Sequence, residues 1–577
     1  MNEPDVELPA PQAGVVAYFS MEIALESGIP TYSGGLGVLA GDTLRAAADI
    51  GYPMVGVTLA HRKGYFRQTL DDRGGQTEAA DPWDPAGLLE QVPPTVTVRI
   101  EGRPVRVRAW RYWVEGLGGR LPVYLLDTNV PDNFPFDRTL TDCLYGGDDY
   151  YRLCQEVVLG LGGVALLRAL NHRRITTYHM NEGHSALLSL ALLREETALP
   201  TDNVAQAWGR VRRQCVFTTH TPVPAGQDRF PERLVRQLLG DADATLLLAA
   251  DGLPDGELNM TGLALTCSRY VNGVALRHEE VSRGLFPDYP INAITNGVHA
   301  ATWAADPFRR LYDRHVPEWR RDNLYLRYVV DVPQEEFAAA HAECKQLMLS
   351  EVERRTRVRL DVNALTLGFA RRATGYKRAD LVFNDLDRLR RIADAVGPLQ
   401  IVFAGKAHPR DEAGKALIRR VYEAAAALRG RVAVVYLDGH DMGLVKLLCS
   451  GVDVWLNTPQ KPHEASGTSG MKAALNGVPS LSVLDGWWVE GWVEGVTGWA
   501  VGDDSPTSTA SAAEAESLYA KLEQAVAPLY HSRPVEFARL MRSTIALNGS
   551  FFNAQRMFVQ YIGNAYIPQL AARPVRA

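Results

Sequence analysis

The residues best suited to chemistry lie in the segment HEASGTSGMKAALNG, residues 463–477. Its glycines allow the backbone to approach a ligand closely, and Ser466, Thr468 and Ser469 supply hydroxyl groups without bulk. Lys472 follows on the predicted first turn of a helix rich in alanine and leucine. A lysine there can be a helix-surface residue, an anion ligand or an amine that forms a Schiff base with a carbonyl cofactor. The segment by itself leaves these roles open.

A basic cluster, RRATGYKR, comes directly after a predicted strand that ends near Ala370. It places Arg371, Arg372, Lys377 and Arg378 within eight residues. Basic runs are commonly solvated surfaces. Four cations at the carboxyl end of a strand favour a bound anion instead, because phosphate oxygens accept hydrogen bonds from guanidinium groups and helix N-terminal amides. The cluster therefore predicts a phosphate site.

A glycine-rich turn, YSGGLGVLAGD at residues 32–42, follows the predicted strand VVAYFS and precedes a predicted helix. It is not a GxxxxGK[ST] P-loop, and it departs from the GxGxxG dinucleotide fingerprint. A lone glycine-rich turn is a weak signal. The backbone amides of Gly34 and Gly35 are nevertheless able to contact a phosphate.

Two histidines follow further predicted strands, His184 in NEGHSAL and His220 in FTTHTPVPAG. For either ring the commoner role is that of a hydrogen-bonded core residue. The sequence contains no HExxH or similar ligand spacing, so we predict no metal site. It also contains no GxSxG elbow, which argues against a nucleophilic serine.

These motifs lie between short apolar runs and amphipathic helical stretches, the pattern of a parallel sheet with crossover helices. The pattern is clearest in the second half, with predicted strands beginning near Leu365, Leu399, Val432, Val452 and Ser480. In open α/β sheets, ligands bind beyond the carboxyl ends of the strands. Two such sheets facing each other would form a cleft, and we place their junction near residues 294–303.

Length and composition exclude several classes of protein. The chain has 577 residues, enough for two to four domains, and is 46% hydrophobic and 22% charged. A net charge of -6 gives no global field for nucleic acid or an anionic membrane. The six cysteines are scattered, the longest apolar run is too short to span a bilayer, and the first residues are acidic and proline-rich. We therefore expect a cytoplasmic protein with reduced cysteines.

Together the motifs resemble the α-glucan (glycogen, starch or maltodextrin) phosphorylases of the short prokaryotic type, which are pyridoxal-phosphate enzymes. The longest match is the lysine signature from Glu464 to Lys472. Other matches, in chain order, are SGGLG at Ser33, NEGHSAL at Asn181, THT at Thr219, VNGVA at Val271, ITNG at Ile294 and GYKR at Gly375. Arg371 departs from the long members of the family, which usually have lysine there.

The resemblance implies an α/β fold of the GT-B architecture, with two Rossmann-like doubly wound domains facing across a catalytic cleft. We expect an N-terminal domain of residues 1–300 on the sugar side. A C-terminal domain of residues 301–577 would lie on the cofactor and phosphate side. The last helix is expected to cross back to the first domain, as fold analogy suggests.

The resemblance also implies roles for individual residues. Lys472 would hold pyridoxal phosphate as an internal aldimine, with Arg371, Thr468, Ser469 and the amide of Gly35 around the cofactor phosphate. Arg372 and Lys377 match positions that hold inorganic phosphate, and the main-chain carbonyl of His220 would lie near the anomeric carbon. The residues that would contact or position the sugar are Glu464, Ser466, Gly467, Asn296, Asn133, Thr221 and His184.

The implied reaction is phosphorolysis of an α-1,4-glucan from its non-reducing end, giving α-glucose 1-phosphate with retained configuration. The expected partners are the glucan and inorganic phosphate or glucose 1-phosphate, and a homo-oligomer is left open. A nucleotide-sugar glucosyltransferase of the glycogen or starch synthase type is the alternative enzyme, and it would need no Schiff-base lysine. A non-catalytic glucan-binding homologue is a third hypothesis. Trp487, Trp488 and Trp492 either stack on sugar rings or pack in the core.

Overall fold

The computed structural model describes residues 14–197, 203–223, 226–248, 256–507 and 510–567. Within them, the strands are β1 (Val15–Ser20), β2 (Met54–Leu59), β3 (Arg67–Leu70), β4 (Gln76–Ala79), β5 (Glu90–Gln91), β6 (Val96–Ile100), β7 (Arg103–Gly116), β8 (Gly119–Asp127), β9 (Ile175–Asn181), β10 (Cys215–Thr218), β11 (Arg229–Pro231), β12 (Glu257–Asn259), β13 (Tyr270–Gly273), β14 (Ile291–Ala293), β15 (Leu365–Ala370), β16 (Leu399–Ala404), β17 (Ala433–Leu437), β18 (Val454–Asn457), β19 (Ser480–Val483) and β20 (Gly498–Val501).

The α-helices of the first part of the chain are α1 (Gly35–Ile50), α2 (Asp149–Val157), α3 (Gly163–Ala169), α4 (Leu188–Thr197), α5 (Val204–Gln214), α6 (Glu232–Leu239), α7 (Asp241–Leu248), α8 (Met260–Thr266), α9 (Leu276–Leu285), α10 (Ala300–Trp303) and α11 (Asp306–His315). Those that follow are α12 (Gln334–Thr356), α13 (Leu386–Ala395), α14 (Glu412–Leu428), α15 (Met442–Gly451), α16 (Thr468–Leu475), α17 (Trp488–Gly491), α18 (Ser511–Lys521), α19 (Ala527–Ser532), α20 (Pro534–Thr544) and α21 (Ala554–Tyr561).

The second large sheet is parallel throughout and has the strand order β17-β16-β15-β18-β19-β20. Its first strand in the chain, β15, lies at the centre and is flanked by β16 and β18, so the winding direction reverses between β15 and β18. Ligands of open α/β sheets bind at such a reversal, beyond the carboxyl ends of the strands. The basic cluster follows β15, and the segment of the lysine signature follows β18. The fold therefore brings these two motifs to one edge.

The first large sheet has the order β14-β13-β10-β9-β1-β2-β8-β7-β5, with β6 paired to β7. Its winding direction reverses between β1 and β9, which are parallel and end side by side at Ser20 and Asn181. The strands β5, β6 and β7 are antiparallel and extend the sheet at one end. We did not predict them. Their alternation of buried apolar and exposed charged residues is typical of an antiparallel sheet with one solvated face.

Several element boundaries differ from those predicted. The helix expected directly after Arg378 begins only at Leu386, because Asp385 caps it by accepting a hydrogen bond from the Arg388 amide at 2.8 Å. The C-terminal helix expected from Ser550 begins at Ala554, after the cap Asn553. Lys472 lies on the second turn of α16, since that helix starts at Thr468.

The apolar core lies on both faces of the first sheet and around the second. Helix α21 contributes Met557, Phe558 and Tyr561 to the apolar cluster that also contains Val16 of β1 and Leu44 of α1. None of the helices within the described ranges has both the length and the apolar character that a bilayer crossing requires.

Candidate active site

The basic cluster after β15 is organised by one buried carboxylate, Glu464. Its Oε2 atom lies 2.6 Å from the guanidinium of Arg371 and 2.6 Å from Nζ of Lys377. Arg371 also donates to Oδ1 of Asn457 at the end of β18. A Cβ atom at Gly405 would lie 1.9 Å from the Arg371 carbonyl, so glycine there lets the chain pass close behind the arginine. Two cations therefore share one acid at the carboxyl edge of the sheet.

The pKa of Glu464 reflects this pairing. Burial alone would raise the pKa of the carboxyl group, but the charges of Arg371 and Lys377 and their hydrogen bonds outweigh burial and hold the pKa at about 2. Glu464 is thus ionised at neutral pH. Such a pair is stable only when both partners are present, because removing one leaves an uncompensated buried charge.

Lys472 lies on α16 with its side chain buried. Gly467 precedes the helix in the left-handed conformation, with φ 88°, which favours glycine. Nζ of Lys472 lies 3.9 Å from the centre of the Trp303 ring, and Trp303 donates its indole hydrogen bond to Asp42 at 2.8 Å. Burial lowers the pKa of Lys472, and the charges of Asp42 and Cys449 oppose the shift only in part.

The amine of Lys472 has no ion-pair or hydrogen-bond partner among the described residues. Its Nζ atom lies over the face of the Trp303 ring instead. A lysine that is buried, unpaired and shifted toward its neutral form is the kind that reacts as a nucleophile with carbonyl groups. This geometry favours the Schiff-base role over the helix-surface role, because the side chain is only 5% exposed.

The glycine-rich turn is held by a second buried acid, Glu22. Its carboxylate accepts hydrogen bonds from the amides of Ser33 and Gly34, at 2.5 and 3.3 Å. It also accepts one from the hydroxyl of Tyr145 at 2.9 Å. Burial raises the pKa of Glu22 despite these bonds. The turn is thereby fixed where α1 begins, with Gly35 exposed and no protein atom within 4 Å of the place a Cβ would take.

Arg372 joins the two sheets at this point. A guanidinium nitrogen of Arg372 lies 3.5 Å from the position of a Cβ on Gly34, and the residue is exposed. In the described part of the chain it forms no ion pair. Arg372 and the free space at Gly35 therefore provide an unpaired cation and an open backbone amide at the glycine-rich turn, which is a suitable environment for phosphate.

His220 and Thr221 form a second polar group at the ends of β9 and β10. Oε2 of Glu182 accepts hydrogen bonds from the His220 amide at 2.8 Å and from the Thr221 hydroxyl at 2.9 Å. Burial lowers the pKa of His220 to about 3, and the ring donates to Oδ1 of Asn181 at 2.7 Å. Glu182 has a φ of 75°, a costly conformation for a non-glycine residue that is found at functional sites.

His184 lies beside this group but points elsewhere. Its Nε2 atom is 3.6 Å from Asp228, and its ring packs 5.6 Å from that of Tyr145. Burial lowers the pKa of His184 to about 4, so the ring is neutral at pH 7. Nδ1 of His184 has no hydrogen-bond partner within the described ranges.

Two of the predicted sugar-binding residues, Ser466 and Asn296, have a buried side-chain oxygen that is not hydrogen-bonded to any described residue. These atoms are Oγ of Ser466 and Oδ1 of Asn296. The backbone of Asn296 is fixed on both sides, since its amide donates to Val274 and its carbonyl accepts from Arg556. Buried polar groups without a partner are rare in proteins and often mark places where a ligand binds.

The structure does not join Asn133 to the other candidates. Its side-chain amide is hydrogen-bonded to the backbone of Arg106 in both directions, at 2.7 Å each, and to the carbonyl of Thr128 at 2.8 Å. Asn133 thereby fixes its own loop onto β7.

Thr468 and Ser469 begin α16, and the hydroxyl of Ser469 accepts a hydrogen bond from Trp455 at 3.2 Å.

Trp487 and Trp488 pack in the core rather than lining a cleft. They are 2% and 1% exposed, and the Trp487 ring lies against Phe552 and Gly470. The glycine at 470 therefore makes room for an indole, not for a ligand. Trp492 is partly exposed and donates to Glu494 at 2.8 Å.

Some residues at the site were not among the predicted site residues, although the motifs containing Asp42 and Glu182 were recognised. The others are Glu22, Tyr145, Trp303 and Asp485. Glu22 and Tyr145 lie outside every recognised motif, and all four reach the site through packing between distant segments. No group of side chains arranged to hold a metal ion is present in the described residues.

Comparison with known proteins bears directly on this geometry. The sequence profile of the family described as "Carbohydrate phosphorylase" matches residues 243–498. Over 96% of its length the chain is 39% identical to maltodextrin phosphorylase of Thermococcus litoralis, of which it covers 71%. The chain belongs to the carbohydrate phosphorylase family. It is also 37% identical to glycogen phosphorylase of Mycobacterium tuberculosis and 35% identical to that of Aquifex aeolicus, covering 71% and 86% of them and 96% of its own length in each case.

Phosphorylases of this kind are expected to use pyridoxal phosphate, and the residues present fit that group. Lys472 is buried and forms no ion pair with an acidic residue in the described part of the chain. Its amine suits the carbonyl carbon of the cofactor. The open amide of Gly35, at the exposed start of α1, suits the cofactor phosphate.

Proposed function

We propose that this protein is an α-1,4-glucan phosphorylase that releases α-glucose 1-phosphate from the non-reducing end of glycogen, starch or maltodextrin. The observation that carries the proposal is the buried, unpaired Lys472 at the same sheet edge as Arg371, Arg372 and Lys377. A nucleotide-sugar glucosyltransferase has no use for such a lysine. The family assignment likewise favours the phosphorylase.

The proposed cofactor is pyridoxal phosphate, bound covalently to Lys472. Gly35, Arg371, Thr468 and Ser469 would surround its phosphate. When bound, the cofactor supplies a second phosphate group that assists proton transfer to and from the substrate phosphate. The chain's own contribution is charge: the cations of the cluster lower the repulsion between two neighbouring phosphates.

In the proposed reaction, Arg372 and Lys377 hold inorganic phosphate beside the terminal glucosyl unit. The proton of the phosphate passes to the glycosidic oxygen as the bond from that oxygen to C1 breaks. A phosphate oxygen then bonds to C1 from the same face, so the configuration is retained. The main-chain carbonyl of His220, whose amide is fixed by Glu182, would stabilise positive charge that develops at C1.

The sugar would be held by the polar groups that lack partners in this structure. Ser466 and Asn296 each present a buried oxygen, and Glu464 and Gly467 belong to the same segment as Ser466. Thr221 and His184 are proposed to contribute from the first sheet. We leave Asn133 out of the proposed sugar site, because its amide is already hydrogen-bonded to backbone.

We further propose the GT-B arrangement for the whole chain, with Rossmann-like domains of residues 1–300 and 301–577 and the last helix on the first domain. This is supported by the two separate sheets with reversals at β1/β9 and β15/β18. A cytoplasmic location is supported by the six unpaired cysteines. A homo-oligomer is the proposed assembly, by analogy with the family alone.

The test is borohydride reduction of the purified protein in the presence of pyridoxal phosphate, followed by peptide mass mapping. We expect a reduced pyridoxyl group on Lys472 and none on the partly buried Lys446, which serves as the internal control. The Lys472→Ala variant should lose both the label and the formation of glucose 1-phosphate from maltodextrin and phosphate. A folded protein with no label at Lys472 would refute the proposal, and nucleotide-sugar donors would then be assayed.

A further inference from the structure

The hairpin of β3 and β4 carries two buried glutamines, Gln68 and Gln76, which the chemistry proposed above does not use. Most other side chains of this hairpin are exposed. Nε2 of Gln68 donates to Oε1 of Gln76 at 2.9 Å. A buried amide is costly unless its polar atoms have partners. Two such amides on a short, mostly solvated hairpin therefore indicate a specific contact.

That contact is with the backbone of residues 405–407, just beyond β16 of the second sheet. Nε2 of Gln68 also donates to the carbonyl of Gly405 at 2.9 Å. Gln76 donates to the carbonyl of Ala407 at 2.9 Å and accepts from its amide at 3.0 Å. Three hydrogen bonds from buried side chains thus fix this segment to the hairpin.

The segment beyond β16 in turn holds the start of the basic cluster. The amide of Arg371 donates to the carbonyl of Ala404, and the amide of Ala373 donates to the carbonyl of Lys406, both at 3.0 Å. Arg372 lies between these two bonds, so its backbone is fixed on both sides while the residue is exposed. A shift of the segment would therefore move Arg372.

The position of Arg372 matters because a guanidinium binds phosphate well only when its N–H groups are aligned with the phosphate oxygens. Its side chain has little other support, since in the described part of the chain it forms no ion pair. A guanidinium nitrogen lies 3.5 Å from the place that a Cβ on Gly34 would take, so the side chain extends to the glycine-rich turn. The backbone thus determines where the guanidinium can be.

We propose that Gln68 and Gln76 are positioning residues for the phosphate site, which act through residues 404–407 on the backbone of Arg372. This inference rests on the proposed function, in which Arg372 holds inorganic phosphate. Because the two glutamines act on one substrate site, their loss should weaken the binding of phosphate and leave that of the glucan unchanged.

Two substitutions remove the hydrogen bonds and keep side chains of similar length. Gln76→Met loses both bonds to Ala407, and Gln68→Met loses the bond to Gly405. Thr69→Val, at an exposed position of β3, is the matched control. Thermal unfolding of each holoenzyme shows whether the variant is folded at the assay temperature.

The measurement is steady-state phosphorolysis of maltodextrin by the holoenzyme, with phosphate and maltodextrin varied separately. We expect each methionine variant to raise the KM for phosphate about tenfold and to keep the KM for maltodextrin within about twofold of the wild type. Thr69→Val should match the wild type in both. An unchanged KM for phosphate in a folded methionine variant, or equal rises in both KM values, would overturn the inference.

A double-mutant cycle distinguishes action through Arg372 from a general loosening of the fold. In the Arg372→Lys background, Gln76→Met should raise the KM for phosphate by less than about threefold more, because the effects of coupled residues do not add. A second full tenfold rise would show that Gln76 acts independently of Arg372, and would overturn the inference. If the wild type itself forms no glucose 1-phosphate, the proposed function fails instead.

Discussion

At the scale of single residues, two neighbouring buried carboxylates have opposite pKa shifts. Glu464 has two cations and its pKa is held at about 2, whereas Asp485 forms no ion pair with any described residue and its pKa is raised to about 7. Burial is the largest cause of the shift at Asp485, and the charge of Glu464 adds to it. The Asp485 carboxylate nevertheless accepts hydrogen bonds from the amides of Glu464, at 2.9 Å, and Gly486, at 3.0 Å. Asp485 therefore positions the backbone of Glu464.

The raised pKa of Asp485 predicts a specific pH dependence of stability. A carboxyl group with a raised pKa contributes stability that is complete below its unfolded-state pKa of about 4. That contribution is lost as the pH rises through about 7. Over this window the free energy of unfolding should fall by up to about 1.4 kcal/mol per pH unit from this group alone.

Replacing the carboxyl group tests this expectation. The Asp485→Asn variant should show a flatter dependence of the free energy of unfolding on pH between pH 5 and 7, measured by denaturant titration. The exposed Asp72→Asn serves as the matched control and should leave the slope unchanged. Identical slopes for wild type and Asp485→Asn would contradict the raised pKa of Asp485.

At the scale of elements, the two helices that begin at the site use glycine for different reasons. Helix α1 begins at Gly35, where a Cβ would meet no protein atom within 4 Å. In α16, a Cβ on Gly470 would lie 2.8 Å from the ring of Trp487. The first glycine leaves room for a ligand, whereas the second makes room for the core. Their sequence contexts look alike, and only the contacts distinguish them.

A pair of alanine substitutions tests this distinction. Gly35→Ala should leave the free energy of unfolding within about 0.5 kcal/mol of the wild type while weakening the binding of pyridoxal phosphate about tenfold or more. Gly470→Ala should destabilise the fold by about 1–3 kcal/mol, because the added methyl group crowds the indole. Denaturant titration and cofactor titration measure the two effects. Loss of stability in Gly35→Ala without loss of cofactor affinity would contradict the proposed role of the turn.

At the scale of the whole molecule, hydrogen bonds join segments that are far apart in the chain. Gln76 of β4, in the hairpin of β3 and β4, both donates to and accepts from the backbone of Ala407, at 2.9 and 3.0 Å, just beyond β16 of the second sheet. Near the C-terminus, Tyr561 and Tyr566 hydrogen-bond with Thr218 and His179 of the first sheet. Helix α21 also holds the candidate site, because its Arg556 donates to the carbonyl of Asn296 at 2.9 Å.

The contribution of helix α21 to the free energy of unfolding can be measured at two adjacent positions. Phe558 is fully buried, with its ring 5.5 Å from that of Tyr52, whereas Val559 on the same helix is 56% exposed. Phe558→Ala should lower the free energy of unfolding by about 3–5 kcal/mol, because it leaves a cavity in the core. Val559→Ala should change it by less than about 0.5 kcal/mol. Similar values for the two variants in denaturant titrations would contradict the packing described here.

Local periodicity and contiguous motifs were enough to predict strands β15 to β19 and the parallel sheet that they form. They also placed Arg371, Arg372 and Lys377 after β15, and Lys472 after β18, at the carboxyl edge of that sheet. The chemical roles of these residues stay predictions. The antiparallel strands β5 to β7 were not predicted, although their alternating pattern was present in the sequence.

The pairing of these groups could be seen only once the chain was folded. Glu464 joins Arg371 and Lys377 across some ninety residues of chain, and Trp487 turns inward onto Gly470. The side-chain amide of Asn133 is hydrogen-bonded to backbone rather than free for a ligand. Each of these facts depends on which distant segments meet and how closely they pack. Local sequence patterns do not contain that information, because a side chain's partners and its exclusion from water are set by the whole fold.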